Sequence, residues 1–256
     1  MIANYHTHTP RCRHAEGTEA EYAQAALNCG MEILGFSDHT PYWFPGDYYS
    51  HMRMYPNELE EYCDAVRNTQ KQYADKLQIH LGLEVEYYPA YFAEVLRRAQ
   101  DQGIEYFLLG QHWVGSEIGE PYCGAATGEE LLLKRYCDQV IEAMQTGLFT
   151  YVAHPDLINF VGDPKTYRQH IHRICREAKS CGIPLEINLL GLKTGRNYPN
   201  RLFWEVAAEE GCHCVIGCDA HQPYAIGDRG AEEKALAWVR ELELTLLPKV
   251  ALRSIV

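Results

Sequence analysis

Side chains able to hold metal recur along this chain at regular intervals. His6 and His8 are two apart, as are Asp219 and His221, and between these pairs come Asp38-His39, Glu84, His112 and His154. Imidazole and carboxylate together suit divalent transition metals. In an extended segment residues i and i+2 share a face, so each two-apart pair presents both side chains to one ion. A single His near a strand end is more often a satisfied polar core residue than a ligand. That bland reading weakens when six separate segments each carry a candidate. Every buried imidazole or carboxylate would then need its own partner, and clustered carboxylates repel unless cations lie among them. A metal cluster removes both difficulties.

The elements that must position these side chains can be read from alternation along the chain. Short apolar runs rich in β-branched and aromatic residues fall at 2–5, 32–36, 78–83, 105–109, 149–153, 184–188 and 214–218. Each is followed by an amphipathic stretch of helical length, at 19–29, 57–73, 91–102, 128–146, 164–180, 200–209 and 231–241. Thr18 and Glu21 have capping-box spacing, and Gly30, Gly103, Gly147, Gly182 and Gly211 stand where helices should stop. Seven strand–helix units without a hairpin signal predict a parallel sheet, which on closing makes a barrel slightly smaller than the eight-stranded form. An open doubly wound sheet is the alternative. No glycine-rich phosphate loop follows the first strand, which argues against a dinucleotide fold. In a parallel barrel the C-terminal strand ends share one rim, and the candidates sit at those ends.

Composition narrows the partners. A chain of 256 residues accommodates a single domain over 1–256. Its net charge of −12 argues against nucleic acid, whose phosphates need a basic surface. No apolar run approaches a membrane span, and the N-terminal residues lack the pattern of a secretory signal, so a cytoplasmic location is expected. The ten cysteines include no Cys-x-x-Cys pair and read as small buried residues, with a zinc role for Cys212 and Cys214 as the alternative. His80 and His213 lie at strand starts, His170 and His172 are two apart on a helix, and His51 falls in a long connection; none of these is expected to bind metal.

The order His6-x-His8, His14, Ser37-Asp38-His39, Gly82-Leu83-Glu84, Gly110-Gln111-His112, His154-Pro155-Asp156 and Asp219-Ala220-His221 resembles the polymerase-and-histidinol-phosphatase (PHP) family along nearly the whole chain. Glu186-Ile187-Asn188 through Gly191-Leu192 and Tyr198-Pro199 resembles its histidinol-phosphatase branch, as does Arg53-Met54 followed by Glu58-Leu59-Glu60-Glu61-Tyr62. The resemblance implies a distorted seven-stranded (β/α)7 barrel with two to three divalent ions, zinc, manganese or iron. Carried over by motif, His6, His8, Glu84 and Asp219 would hold one ion. Glu84 would bridge to a second held by His112 and His154, and His14, His39 and His221 would hold a third. Asp38, Glu86, Asp156 and Gln111, sequence neighbours of ligands, are candidates to orient them.

The implied reaction is hydrolysis of a small-molecule phosphate ester by a metal-activated hydroxide, with L-histidinol phosphate as the leading substrate. Glu84, Asp219 and His221 are the catalytic candidates; Lys193, Arg196, Asn188, Arg53 and Arg11 are the candidates for substrate, with Arg13 beside Arg11. Two arginines that the branch leads one to expect are replaced, by the run Asp156-Leu157-Ile158-Asn159-Phe160 and by Lys193. Another small phosphate, such as a nucleotide or sugar phosphate, is therefore the alternative substrate. A non-catalytic metal-binding barrel is the alternative class.

Overall fold

In the computed structural model, which describes residues 1–255, the apolar runs become strands of one parallel sheet. The strands are β1 (Ala3–Asn4), β2 (Ile33–His39), β3 (Gln78–Val85), β4 (Tyr106–Leu109), β5 (Phe149–Val152), β6 (Leu185–Asn188), β7 (His213–Gly217) and β8 (Thr245–Leu246). They are hydrogen-bonded in chain order, every neighbouring pair parallel. Helices α1 (Glu19–Asn28), α2 (Leu59–Tyr73), α3 (Pro89–Asp101), α4 (Glu130–Gln145), α5 (Pro164–Cys181), α6 (Leu189–Thr194), α7 (Arg201–Glu210) and α8 (Arg229–Glu241) fill the connections. Thr18 and Glu21 form the expected capping box on α1, Asp163 and Asn200 cap α5 and α7, and Gly182 and Gly211 end those two helices in the left-handed conformation.

The sheet has eight strands rather than the expected seven. The eighth is only two residues long, pairing Thr245 with His213 and Leu246 with Cys214, and is too short to leave a periodic signal. At the opposite end of β7 the continuation of β1 comes alongside, through a parallel bridge between Thr7 and Ala220. There His8 N donates to Ala220 O at 2.9 Å and Ala220 N donates to His6 O at 3.2 Å. This contact draws His6 and His8 against Asp219 and His221.

Two apolar layers set the height of the site. The larger lies between sheet and helices and includes Leu34, Phe36, Leu81, Leu83, Phe107 and Ile187. A smaller cluster of Ala3, Tyr5, Ile33, Tyr106, Leu108, Tyr151, Ala153 and Val215 packs separately, with Leu247, Val250 and Leu252 of the C-terminal segment against it. Tyr106 anchors this inner layer, its hydroxyl donating to Tyr5 O at 2.7 Å and Phe36 O at 3.2 Å. A Cβ on Gly35 or Gly82 would lie 2.2 or 2.3 Å from Tyr106, so both glycines make room for the ring. β2 and β3 run past this layer, carrying Asp38, His39 and Glu84 into regular sheet geometry at the strand ends.

Candidate metal centre

At that rim Glu84 is the common neighbour. Its Oε2 lies 2.8 Å from His39 Nδ1, 3.5 Å from His6 Nε2 and 3.6 Å from His8 Nε2. Its Oε1 faces the other way, 2.8 Å from His154 Nε2 and 3.7 Å from His112 Nε2. Asp219 Oδ1 lies 3.1 Å from His8 Nε2 and 3.5 Å from His6 Nε2. Ligand atoms about 2.1 Å from a tetrahedral ion stand roughly 3.4 Å apart, so most of these separations match atoms sharing a cation. His14, His39 and His221 form a further group with ligand atoms within 4.8 Å of one another. All nine candidates thus meet on one rim, eight of them buried and His14 exposed.

The buried atoms without hydrogen-bond partners include His6 Nε2, His8 Nε2 and His221 Nε2. Orphaned buried polar atoms are costly, and a cation among them would remove that cost. The far ring nitrogens are tied instead. His6 Nδ1 meets Glu186 Oε1 at 2.9 Å, His8 Nδ1 meets Asp38 Oδ1 at 3.4 Å and His112 Nδ1 meets Glu86 Oε1 at 3.0 Å. His14 Nδ1 lies 2.7 Å from Cys12 O and His221 Nδ1 lies 3.1 Å from Asp219 O. Such outer partners fix the tautomer that leaves the inner nitrogen free for metal. The donor set therefore fits divalent ions.

The backbone is held in an unusual state at two of these positions. His154 has φ of 30° and Asp219 has φ of 47°, a region that residues with a Cβ seldom adopt. Gly110 leaves space: a Cβ there would lie 1.9 Å from Glu84 Oε1. Electrostatics follow from the crowding. Burial opposes ionisation of Glu84, but the imidazoles of His39, His112 and His6 outweigh it and hold the carboxyl well below its usual range. Asp219 behaves likewise beside His6, His8 and His221. Burial opposes the charged form of His8 too, yet Asp219 and Asp38 raise its pKa to about 9. Burial and the neighbouring His8 push His221 down to about 3.

The expected orienting residues divide. Asp38 accepts from His39 N at 2.8 Å as well as facing His8. Asp156 touches no candidate ligand through its side chain; it accepts from Asn200 N at 2.5 Å and Trp204 Nε1 at 3.1 Å, and its burial lifts the pKa to about 7. Gln111 braces loops, accepting from Tyr87 N at 2.9 Å and donating to Trp113 O at 2.7 Å.

The substrate candidates scatter, and here the structure corrects the sequence reading. Arg53 is buried and tied down: Nε donates to Glu117, Nη1 to Thr40 O and Glu86, and Nη2 to Glu86, at 2.8–2.9 Å, with Nη2 also 2.6 Å from Glu117 Oε2 as an ion pair. It holds Glu86, and through Glu86 it holds His112. Asn188 donates to Glu186 at 2.9 Å and Asp219 at 3.1 Å and accepts from Gly191 N at 2.9 Å, leaving no N–H for a ligand. Arg11 pairs with Glu19 at 2.6 Å and Glu61 at 2.8 Å in a separate surface hollow that also holds Arg13. Lys193 pairs with Asp228 at 3.1 Å beside Tyr224, in a neighbouring pocket.

Arg196 alone of these lines the cleft above the cluster. That cleft, about 380 Å³, is bounded by His14, His39, His112, Asp219 and His221 below and by His51, Met52, Tyr122, Leu190, Arg196 and Tyr198 above. Arg196 Nη1 donates to Tyr198 Oη at 2.7 Å. His51, which the sequence left in a long connection and not expected to bind metal, lines this cleft. The Cys12 thiol was also missed: it comes within 4.8 Å of ligand atoms of His8 and His221, and burial together with the charge of Asp38 raises its pKa. The zinc alternative for Cys212 and Cys214 finds no support, because Cys212 Sγ donates to Cys175 O at 3.2 Å and neither thiol joins a metal-type group among the described residues.

Residues 4–189 match the PHP domain. The chain is similar to a protein of Deinococcus radiodurans named "Probable histidinol-phosphatase", 34% identical over 242 residues and covering 90% of each chain. It is 25% identical to the histidinol-phosphatase of Bacillus subtilis, covering 87% of this chain and 94% of that one. Among solved structures it resembles histidinol phosphate phosphatase of Lactococcus lactis, complexed with zinc, L-histidinol and phosphate, with a TM-score of 0.74, 21% identity and coverage of 99% and 97%. Among the described residues no helix is long and apolar enough to cross a membrane.

Proposed function

The chain belongs to the PHP domain family, and from that premise we propose that it is a metal-dependent phosphomonoesterase converting L-histidinol phosphate to L-histidinol and phosphate. The observation that carries this reading is the set of buried, unpartnered ring nitrogens on His6, His8 and His221 grouped with Glu84 and Asp219 beneath a small-molecule cleft. Two to three ions of zinc, manganese or iron would be held. His6, His8, Glu84 and Asp219 would take one; Glu84, His112 and His154 a second; His14, His39 and His221 a third. The opposed directions of the two Glu84 oxygens support its role as the shared ligand.

Bound divalent ions supply positive charge that acidifies water and offsets charge on a phosphoryl group. The chain supplies the rest. Glu84 and Asp219, held ionised by their neighbours, provide the negative charge that keeps cations in a buried place. Arg196 stands where a guanidinium can hydrogen-bond phosphoryl oxygens, with Tyr198 steadying it. Tyr122, Leu190 and Met52 give the leaving group an apolar wall, and the cleft volume restricts it to a small molecule.

The test pairs elemental analysis with turnover. The purified protein should hold two to three transition-metal ions per chain and hydrolyse L-histidinol phosphate far faster than p-nitrophenyl phosphate. A chelator should abolish turnover and zinc, manganese or iron restore it. Full activity in protein stripped of metal would contradict the assignment.

A further inference from the structure

Strand β6 brings no metal ligand yet carries a carboxylate more deeply buried than any ligand but His6 and His8. Glu186 lies on β6 at zero exposure, with no Lys or Arg among its hydrogen-bond partners. Its Oε1 meets His6 Nδ1 at 2.9 Å and accepts from Tyr151 Oη at 3.2 Å. Its Oε2 accepts from His154 N at 3.1 Å and from Asn188 Nδ2 at 2.9 Å. The same Asn188 amide nitrogen lies 3.1 Å from Asp219 Oδ2. One side chain therefore reaches candidate ligands from three other strand ends: the ring of His6, the strained backbone of His154 and, through Asn188, the carboxylate of Asp219.

The surroundings are shaped to admit it. A Cβ on Gly217, which pairs with Asn188 across β6 and β7, would fall 1.8 Å from Glu186 Oε1, so only glycine leaves the carboxylate its place. Burying a carboxylate without a cation is expensive unless donors surround it, and here every donor belongs to a ligand, to the amide that steadies a ligand, or to Tyr151. A residue serving only the core would more cheaply be apolar.

We propose that Glu186 is a positioning residue that sets metal affinity at the two ion sites containing His6 and His154. It fixes the His6 ring with Nε2 inward and locks the His154 backbone at its positive φ. None of its hydrogen bonds goes to His14, His39 or His221, so it touches no ligand of the third site directly. The inference rests on the metal-dependent reading above and concerns retention of ions, not turnover.

The experiment loads wild-type protein and the Glu186→Gln variant with zinc, passes both through a desalting column with weak chelator, and counts ions per chain by elemental analysis alongside a thermal melt. Glu186→Gln turns one acceptor oxygen into a donor facing the donors of its neighbours. It should hold zinc about 10–100-fold more weakly at two sites while keeping the ion of the third. Should that variant fail to fold, Glu186→Asp retains the charge but is one methylene too short to span His6 and His154, and the same selective loss is expected. Full zinc retention by either folded variant, or equal loss from all sites, would overturn the proposal. If wild type retains zinc but leaves histidinol phosphate intact, the functional reading fails and the positioning role stands.

Discussion

Arg196 and Lys193 are three residues apart, yet one faces the cleft and the other a salt bridge. Arg196 lines the cleft over the cluster, whereas Lys193 is occupied by Asp228 in the adjoining pocket. A charge-assisted hydrogen bond to phosphate is worth about 1.5–3 kcal/mol, so Arg196→Ala should lower kcat/KM for histidinol phosphate roughly 10–100-fold. Lys193→Ala should change it less than about twofold, because an exposed ion pair contributes little. Steady-state kinetics on the two variants checks this, and equal losses would remove Arg196 from its role. Titration gives a second prediction at this scale. In metal-free protein His8 has its pKa raised to about 9, so its contribution to stability is complete below about 6.5 and is lost as pH rises through 9. His221, pushed down to about 3, works oppositely: the unfolded chain takes up its proton first, and stability falls as pH drops from about 6.5 toward 3. The melting temperature of metal-free protein should therefore peak near neutrality and decline toward pH 9. Zinc-loaded protein should lack the alkaline decline, since ligation requires His8 without its ring charge. Parallel thermal melts across that range would test it.

At the scale of elements, the loop after β2 and the loop after β4 are fastened by one buried guanidinium. Arg53 binds Glu86 at the end of β3 and Glu117 in the later loop, and Tyr48 donates to Glu117 at 2.8 Å from the earlier one. Arg53 and His112 together hold Glu86 at a pKa of about 2 despite its burial. Arg53→Ala would strand two buried carboxylates, at a cost of about 3–5 kcal/mol. Denaturant unfolding should show that loss together with weaker metal binding at His112; a variant as stable as wild type would mean the network relaxes freely. This clamp also marks where sequence ceased to inform. The candidate ligands were legible because strand ends and two-residue spacing fix where their side chains go. Arg53 was misassigned as a substrate residue because its charge says nothing about which carboxylates surround it. Glu186 left a trace, an acid inside the apolar run Leu185-Glu186-Ile187, but only the fold reveals that its neighbours are candidate ligands.

For the whole molecule, strand–helix alternation announced a parallel α/β architecture, and all seven anticipated strands are present. The eighth strand and the segment with Leu247, Val250 and Leu252 beneath the inner layer escaped notice, because short extended pieces carry no period and their partners are remote in sequence. This arrangement seals one end with tyrosines and aliphatic residues and leaves the other, with its imidazoles and carboxylates, open to a cleft. The sequence and the architecture thus agree on a polar rim over an apolar floor. The most direct measurement of that claim is anomalous diffraction from crystals grown with zinc, collected at the zinc absorption edge. The account predicts separate peaks within coordination distance of Nε2 of His6 and His8 with Asp219, and between Glu84 and His154. Crystals in which those side chains enclose no anomalous peak would contradict it.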